Sequence, residues 1–155
     1  MKKLLGLRPL WALGIYIVLD ILCIGMGMGV PFFCILFGLL VGWYIVRYIT
    51  TTDTEIRSIF RKTLLYASVT AAITLLGMLM IWAPFAASYL FDRGKDLANT
   101  GVPMILYEPL ASFIGWLVLM IVISPFLQLL TTLFGSYLAL LGWLNEGVKS
   151  SVTIP

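Results

Sequence analysis

From Pro9 to Val46 the chain carries no basic residue and a single acid, Asp20. Drawn out as one helix, this run would reach roughly 57 Å at 1.5 Å per residue, nearly twice the ~30 Å hydrocarbon core of a bilayer. So long an apolar stretch must enter the membrane and turn back within it. The turn is expected in "GMGMGVP", residues 25–31, where glycines accept positive φ and Pro31 suits the first turn of a new helix. Helix 1 then covers residues 9–27 and helix 2 residues 31–47, joined as a Gly-rich hairpin. A cleaved signal peptide would explain Gly25 and Gly27 as a small-x-small pair, but it would place Asp20 inside its apolar region.

The remainder repeats the theme. The sequence is 61% hydrophobic and 11% charged, against about 45–50% and about 25% in soluble domains. After Arg47, "TTTDTEIRSIFRK" is polar, and Thr52 with Glu55 matches a capping box, so a helix is expected to begin near Asp53. It should pass through a short amphipathic turn into helix 3, residues 63–83, with Pro84 marking its end. Residues 84–108 form the longest polar connection. Residues 109–144 exceed one pass and give two only cramped ones. Because Pro125 has no accompanying turn residues, one kinked helix 4 is expected, spanning at 109–131 and continuing along or beyond the surface at 132–144. Two short spans are the alternative.

The fold class expected is therefore all-α: an integral membrane four-helix bundle, a single domain over residues 1–155. Its charges orient it. Lys2, Lys3, Arg8, Arg47, Arg57, Arg61, Lys62 and Lys149 fall on one side, and only Arg93 and Lys95 on the other. The excess of basic residues on cytoplasmic loops then places both termini on the cytoplasmic side of the cell membrane. Arg57, Arg61 and Lys62 are matched to anionic headgroups rather than nucleic acid.

Chemistry must come from few residues. The absence of histidine excludes imidazole-based haem, zinc and non-haem iron sites and imidazole-dependent hydrolase triads. Asp20 lies near mid-membrane, where an ionised carboxylate costs at least about 2.5–3.5 kcal/mol on insertion scales. No span offers it a Lys or Arg. It is expected to be protonated, to bind a proton or cation, or to meet a base on a partner. Tyr16, Asp20 and Cys23 share one face of helix 1. Thr63, Tyr66, Thr70 and Thr74 line helix 3, and Ser124, Gln128 and Thr131 or Thr132 line helix 4. Asp20, Thr74, Ser124 and Gln128 are the candidate ion or proton residues, and hydroxyl satisfaction of a neutral acid is the plainer role for the same groups.

Cys34, Gly38 and Gly42 recur every four residues as a packing stripe, expected to face helix 1 and offering a dimer or partner interface as its functional role. Cys23, Met26, Met28 and Cys34 are the soft-ligand candidates for a metal, set against their ordinary use as gap fillers. No cofactor, catalytic constellation or nucleic-acid surface is expected. The partners expected are the lipid bilayer and either further copies of the chain or another membrane protein. The function expected is a non-enzymatic subunit or scaffold that packs against a membrane partner or itself, because one intramembrane acid in one small bundle leaves little room for alternating access. The alternative is a small proton- or cation-coupled transporter or ion-conducting oligomer using Asp20.

Overall fold

The computed structural model describes residues 9–26, 32–91 and 106–152. Among these residues every regular element is helical. In chain order they are α1 (Pro9–Met26), α2 (Phe32–Ile49), α3 (Ile56–Phe91), α4 (Pro109–Val118) and α5 (Ser124–Val152). A π-helical turn, Leu119–Ile123, fuses α4 to α5 so that the two run as one long helix. The Gly-rich turn expected between the first two helices falls outside the described residues.

The molecule is all-α, and its apolar core also holds a set of buried polar side chains while large apolar ones line the outside. Its buried side chains include Asp20, Thr63, Thr70, Thr74, Ser112, Ser124, Gln128, Thr132 and Ser136. Outward-facing positions carry Trp11, Val18, Leu22, Leu40, Leu76, Met80, Phe126 and Phe134. Soluble domains bury Leu, Ile and Phe and leave such polar groups in water. The distribution seen here fits a hydrocarbon solvent, in which polar groups find partners only inside the protein. Three helices are long and apolar enough to cross a membrane: Phe32–Ile49, Ile56–Phe91 and Pro109–Asn145. A shorter apolar helix, Trp11–Gly25, accompanies them.

Helix boundaries depart from expectation at two places, each for a local reason. Helix 3 begins at Ile56 rather than near Asp53, because the threonine hydroxyls turn backwards. Thr50 donates to the Val46 carbonyl, Thr51 to Tyr48 and Thr52 to Ile49, satisfying the C-terminal carbonyls of α2. Thr52 is therefore spent on the preceding helix and closes no capping box with Glu55. Pro84 does not end helix 3, which continues to Phe91. Beyond the proline, Phe85 and Tyr89 pack with Phe113 and Trp116 of α4, and Trp82 meets Trp116 edge-on at 4.9 Å. That aromatic packing offsets the one backbone bond a proline removes, a loss that membrane helices tolerate. Residues 109–152 form one continuous helical course and not two short spans. The irregularity at Pro125 is absorbed as the π-turn immediately before it.

The largest helix–helix interface joins α2 to α5. Its cause is small residues at matching heights. A Cβ added at Gly42 would stand 2.8 Å from the Ser136 amide nitrogen and closer still to the Thr132 carbonyl oxygen. At Gly38 it would stand 2.7 Å from the Gln128 carbonyl oxygen, and at Gly135 2.9 Å from Leu39 Cα. With backbones this close, hydroxyls bond across the seam: Thr131 to the Ile35 carbonyl at 2.6 Å and Ser136 to the Gly42 carbonyl at 3.1 Å. The Gly38/Gly42 stripe thus faces α5, correcting the expectation that it packs helix 1. The two glycines spaced on α2 meet a third, Gly135, which lets α5 approach more closely than α1 does. α1 then leans on α2 and α3, completing the bundle.

Candidate functional site

α1, α3 and α5 converge on Asp20. The helical period puts Tyr16 and Asp20 one turn apart on the inward face of α1, and both are buried. On α3 the inward stripe is Thr63, Ala67, Thr70, Thr74 and Met78. Tyr66, expected in that stripe, turns outward. On α5 the stripe is Ser124, Gln128, Thr132 and Ser136, all buried. These faces supply one polar layer in an otherwise apolar interior.

Asp20 is 2% exposed and its two carboxyl oxygens have different partners. Thr74 Oγ1 lies 2.8 Å from Oδ2, and Gln128 Nε2 lies 3.3 Å from Oδ1. The same Gln128 nitrogen reaches the Tyr16 hydroxyl at 3.2 Å. Tyr16 in turn stands 2.8 Å from Thr74 Oγ1 and 2.9 Å from the Thr70 carbonyl oxygen, which Thr74 Oγ1 also approaches at 3.2 Å. Gln128 is fixed from behind, since its own carbonyl accepts hydrogen bonds from both Thr131 and Thr132 hydroxyls. Among the described residues, no basic side chain forms an ion pair with Asp20.

Counting hydrogens shows what this arrangement can do. A hydroxyl has one proton to give and two lone pairs to receive. With Asp20 ionised, Thr74 donates to Oδ2, the Gln128 amide donates to Oδ1 and to Tyr16, and Tyr16 donates to the Thr70 carbonyl. With Asp20 protonated on Oδ2, the carboxyl donates to Thr74, and Thr74 rotates its own hydrogen onto the Thr70 carbonyl. Every donor is used in both cases. The only movement needed is the turn of one hydroxyl, so the cluster can hold or release a proton without repacking a helix.

Two atoms in this layer lack a partner. Gln128 Oε1 and Ser124 Oγ are buried with no hydrogen bond to the protein, as is Thr63 Oγ1 farther along α3. Of the four ion or proton candidates, the structure joins Asp20, Thr74 and Gln128 directly, and sets Ser124 one turn from Gln128 on the same buried face. Tyr16 and the Thr70 carbonyl complete the cluster. Tyr16 was legible from its spacing to Asp20, whereas no sequence signal marks a particular backbone carbonyl as an acceptor.

The other candidate residues are placed as follows. Cys34 is fully buried and Cys23 half-buried, and both are free thiols. Met28 and the side chain of Met26 lie outside the described residues. No grouping of three or more His, Cys, Asp or Glu occurs among the described residues. Cys34 packs with Ile24, Met78 and Met120 in the apolar layer next to the polar one, as a small hydrophobe does. The acids and bases of "DRGKD" at 92–96 lie outside the described residues.

Comparison of the chain with family models, with curated proteins and with solved structures finds no match. The reading of the site therefore rests on its geometry.

Proposed function

We propose that the chain is a multi-pass, non-enzymatic protein of the cytoplasmic membrane that takes up one proton or one monovalent cation at Asp20, as a small coupled transporter or as a subunit of an ion-conducting oligomer. α1, at 18 residues as long as α2, serves as a fourth span beside the three candidate membrane helices. The distribution of Lys and Arg supports both termini being cytoplasmic. One observation carries the reading. A carboxyl at mid-helix depth is closed off from solvent, has no bonded base among the described residues, and sits in a hydrogen-bond network that closes in either protonation state. An intramembrane acid is expensive and is a functional-site candidate for that reason.

The competing reading is a scaffold subunit. It is favoured by the same bonds, since Thr74 and Gln128 tie three helices through Asp20 and need no ligand to do so. It has lost its clearest docking surface, because Gly38 and Gly42 are occupied by α5 of the same chain. Reconstitution decides between the two. Wild-type protein in liposomes carrying a trapped pH dye should move protons or sodium down an imposed gradient, and Asp20→Asn should abolish the movement while the protein stays folded. If the wild type moves neither ion, and Asp20→Asn alters only what co-purifies with it, the scaffold reading replaces this one.

A further inference from the structure

The polar layer has more oxygen than a proton requires. Gln128, 1% exposed, binds Asp20 and Tyr16 through its nitrogen, while the Oε1 of the same amide is buried and accepts no hydrogen bond. One turn earlier Ser124, 0% exposed, holds an unpartnered Oγ on the same buried face. One turn earlier again the main chain adds a third oxygen. In a regular α-helix the Ser124 amide would serve the Met120 carbonyl, but here it bonds to the Leu119 carbonyl. The next residue, Pro125, has no N–H to offer in its place. Met120 is fully buried, so its carbonyl is left in an apolar interior without the donor that a helix normally supplies.

We infer that Asp20, Gln128 Oε1, Ser124 Oγ and the Met120 carbonyl form a binding site for one hard monovalent cation of the sodium class. All four donors are oxygens, which suit hard cations and not the soft metals that thiolates select. The site contains one carboxylate, so one positive charge neutralises it, whereas a divalent ion would leave a net charge in low dielectric. Main-chain carbonyls released from helical bonding are a recurrent way to hold such an ion inside a membrane protein. The π-turn at Leu119–Ile123 and Pro125 release one here while the helix runs on. Since sodium and a proton neutralise the same carboxyl, they exclude one another, and sodium binding expels one proton from Asp20.

This inference rests on the proton-or-cation reading of Asp20 and narrows it to an ion and its remaining ligands. The test is equilibrium binding of radioactive sodium to the purified full-length protein in lipid nanodiscs, with the organic cation N-methylglucamine as background. The wild type should bind one sodium ion per chain saturably, and more weakly as the pH is lowered, since a proton competes for the same carboxyl. Ser124→Ala should weaken binding at least tenfold, and Asp20→Asn should abolish it. Absence of saturable binding in the wild type overturns the inference, as does wild-type affinity in Ser124→Ala. Should Asp20→Asn fail to fold, the pH competition and Ser124→Ala still decide. If liposomes show proton movement but nanodiscs bind no sodium, only the sodium site falls. If neither appears, the coupling reading falls with it.

Discussion

The α2–α5 seam and the Asp20 layer are both polar strips inside an apolar bundle, yet they are put together on opposite principles. In the seam, each hydroxyl has a main-chain carbonyl within reach: Thr131 that of Ile35 or of Gln128, Thr132 that of Gln128, Ser136 that of Gly42. Glycines remove side-chain bulk so that backbones touch, and none of these hydroxyls is left over. The Asp20 layer joins side chain to side chain, closes its hydrogen bonds with or without one proton, and leaves two buried oxygens unpartnered. The seam's hydroxyls carry no titratable group, so its bonds do not depend on a proton. The layer's geometry admits at least two arrangements of its hydrogens, and a binding site needs that freedom whereas a structural contact does not.

The widest separation between the two should come from bulk at Gly42. Gly42→Leu places a side chain where even a Cβ meets backbone, and no flexible neighbour can yield. Overpacking of this kind costs about 1–3 kcal/mol where side chains can shift, and more where backbone must move. The expected result is loss of the folded species in detergent, read as an early unfolding midpoint in a denaturant titration. A wild-type midpoint would show that α2 and α5 are not held at this distance.

Asp20→Asn should behave in the opposite way. Asn keeps the size and can still accept from Thr74 or Gln128, so stability should change by less than about 1 kcal/mol, in line with the ~0.6 kcal/mol average of intramembrane hydrogen bonds. Ion movement should nevertheless vanish. A variant that lost fold and flux together would move the Asp20 layer into the same structural class as the seam. Ser136→Ala comes next in size. It removes one cross-seam bond and should lower stability by about 0.6 kcal/mol with no change in flux. Any larger effect on flux than on stability would join the seam to the site.

Much of this contrast was legible in the residues, and its limits are physical. Periodicity alone placed Asp20, Thr74 and Gln128 on inward faces, because a helix in lipid has nowhere else to put them. The Gly38/Gly42 stripe was recognisable as a close-packing surface, but its partner was not. That choice depended on Gly135 lying at the same height on a helix about a hundred residues away, and on a register no local pattern encodes. The threonine run at 50–52 reads equally as the end of one helix or the start of the next. The structure resolves it toward α2, whose last carbonyls accept from the three hydroxyls. Pro84 and Pro125 show the same dependence on context: one is carried through by aromatic packing and the other by a π-turn. Proline marks a lost hydrogen bond in the sequence, and tertiary contacts decide whether the helix stops there.

The smallest effect lies outside the bilayer, where Asp53 accepts hydrogen bonds from Ser58 Oγ at 3.0 Å and from the Lys62 ammonium. Those two donors, Lys62 first, hold the Asp53 carboxyl below the usual carboxylate range. A group with a depressed folded value contributes stability above its unfolded value, about 3.9 for Asp. The contribution is lost as pH falls through the folded value. Amide exchange at the start of α3 should therefore be constant from pH 7 down to about 4, allowing for its intrinsic pH dependence, and quicken only below that. Asp53→Asn should remove the acid step while leaving ion movement and the unfolding midpoint at neutral pH near wild type, because both groups face solvent and exposed pairs add little. An unchanged acid step in Asp53→Asn would show that another carboxyl holds the helix start. A change in ion movement would tie this surface contact to the buried layer, which the hydrogen bonds keep separate.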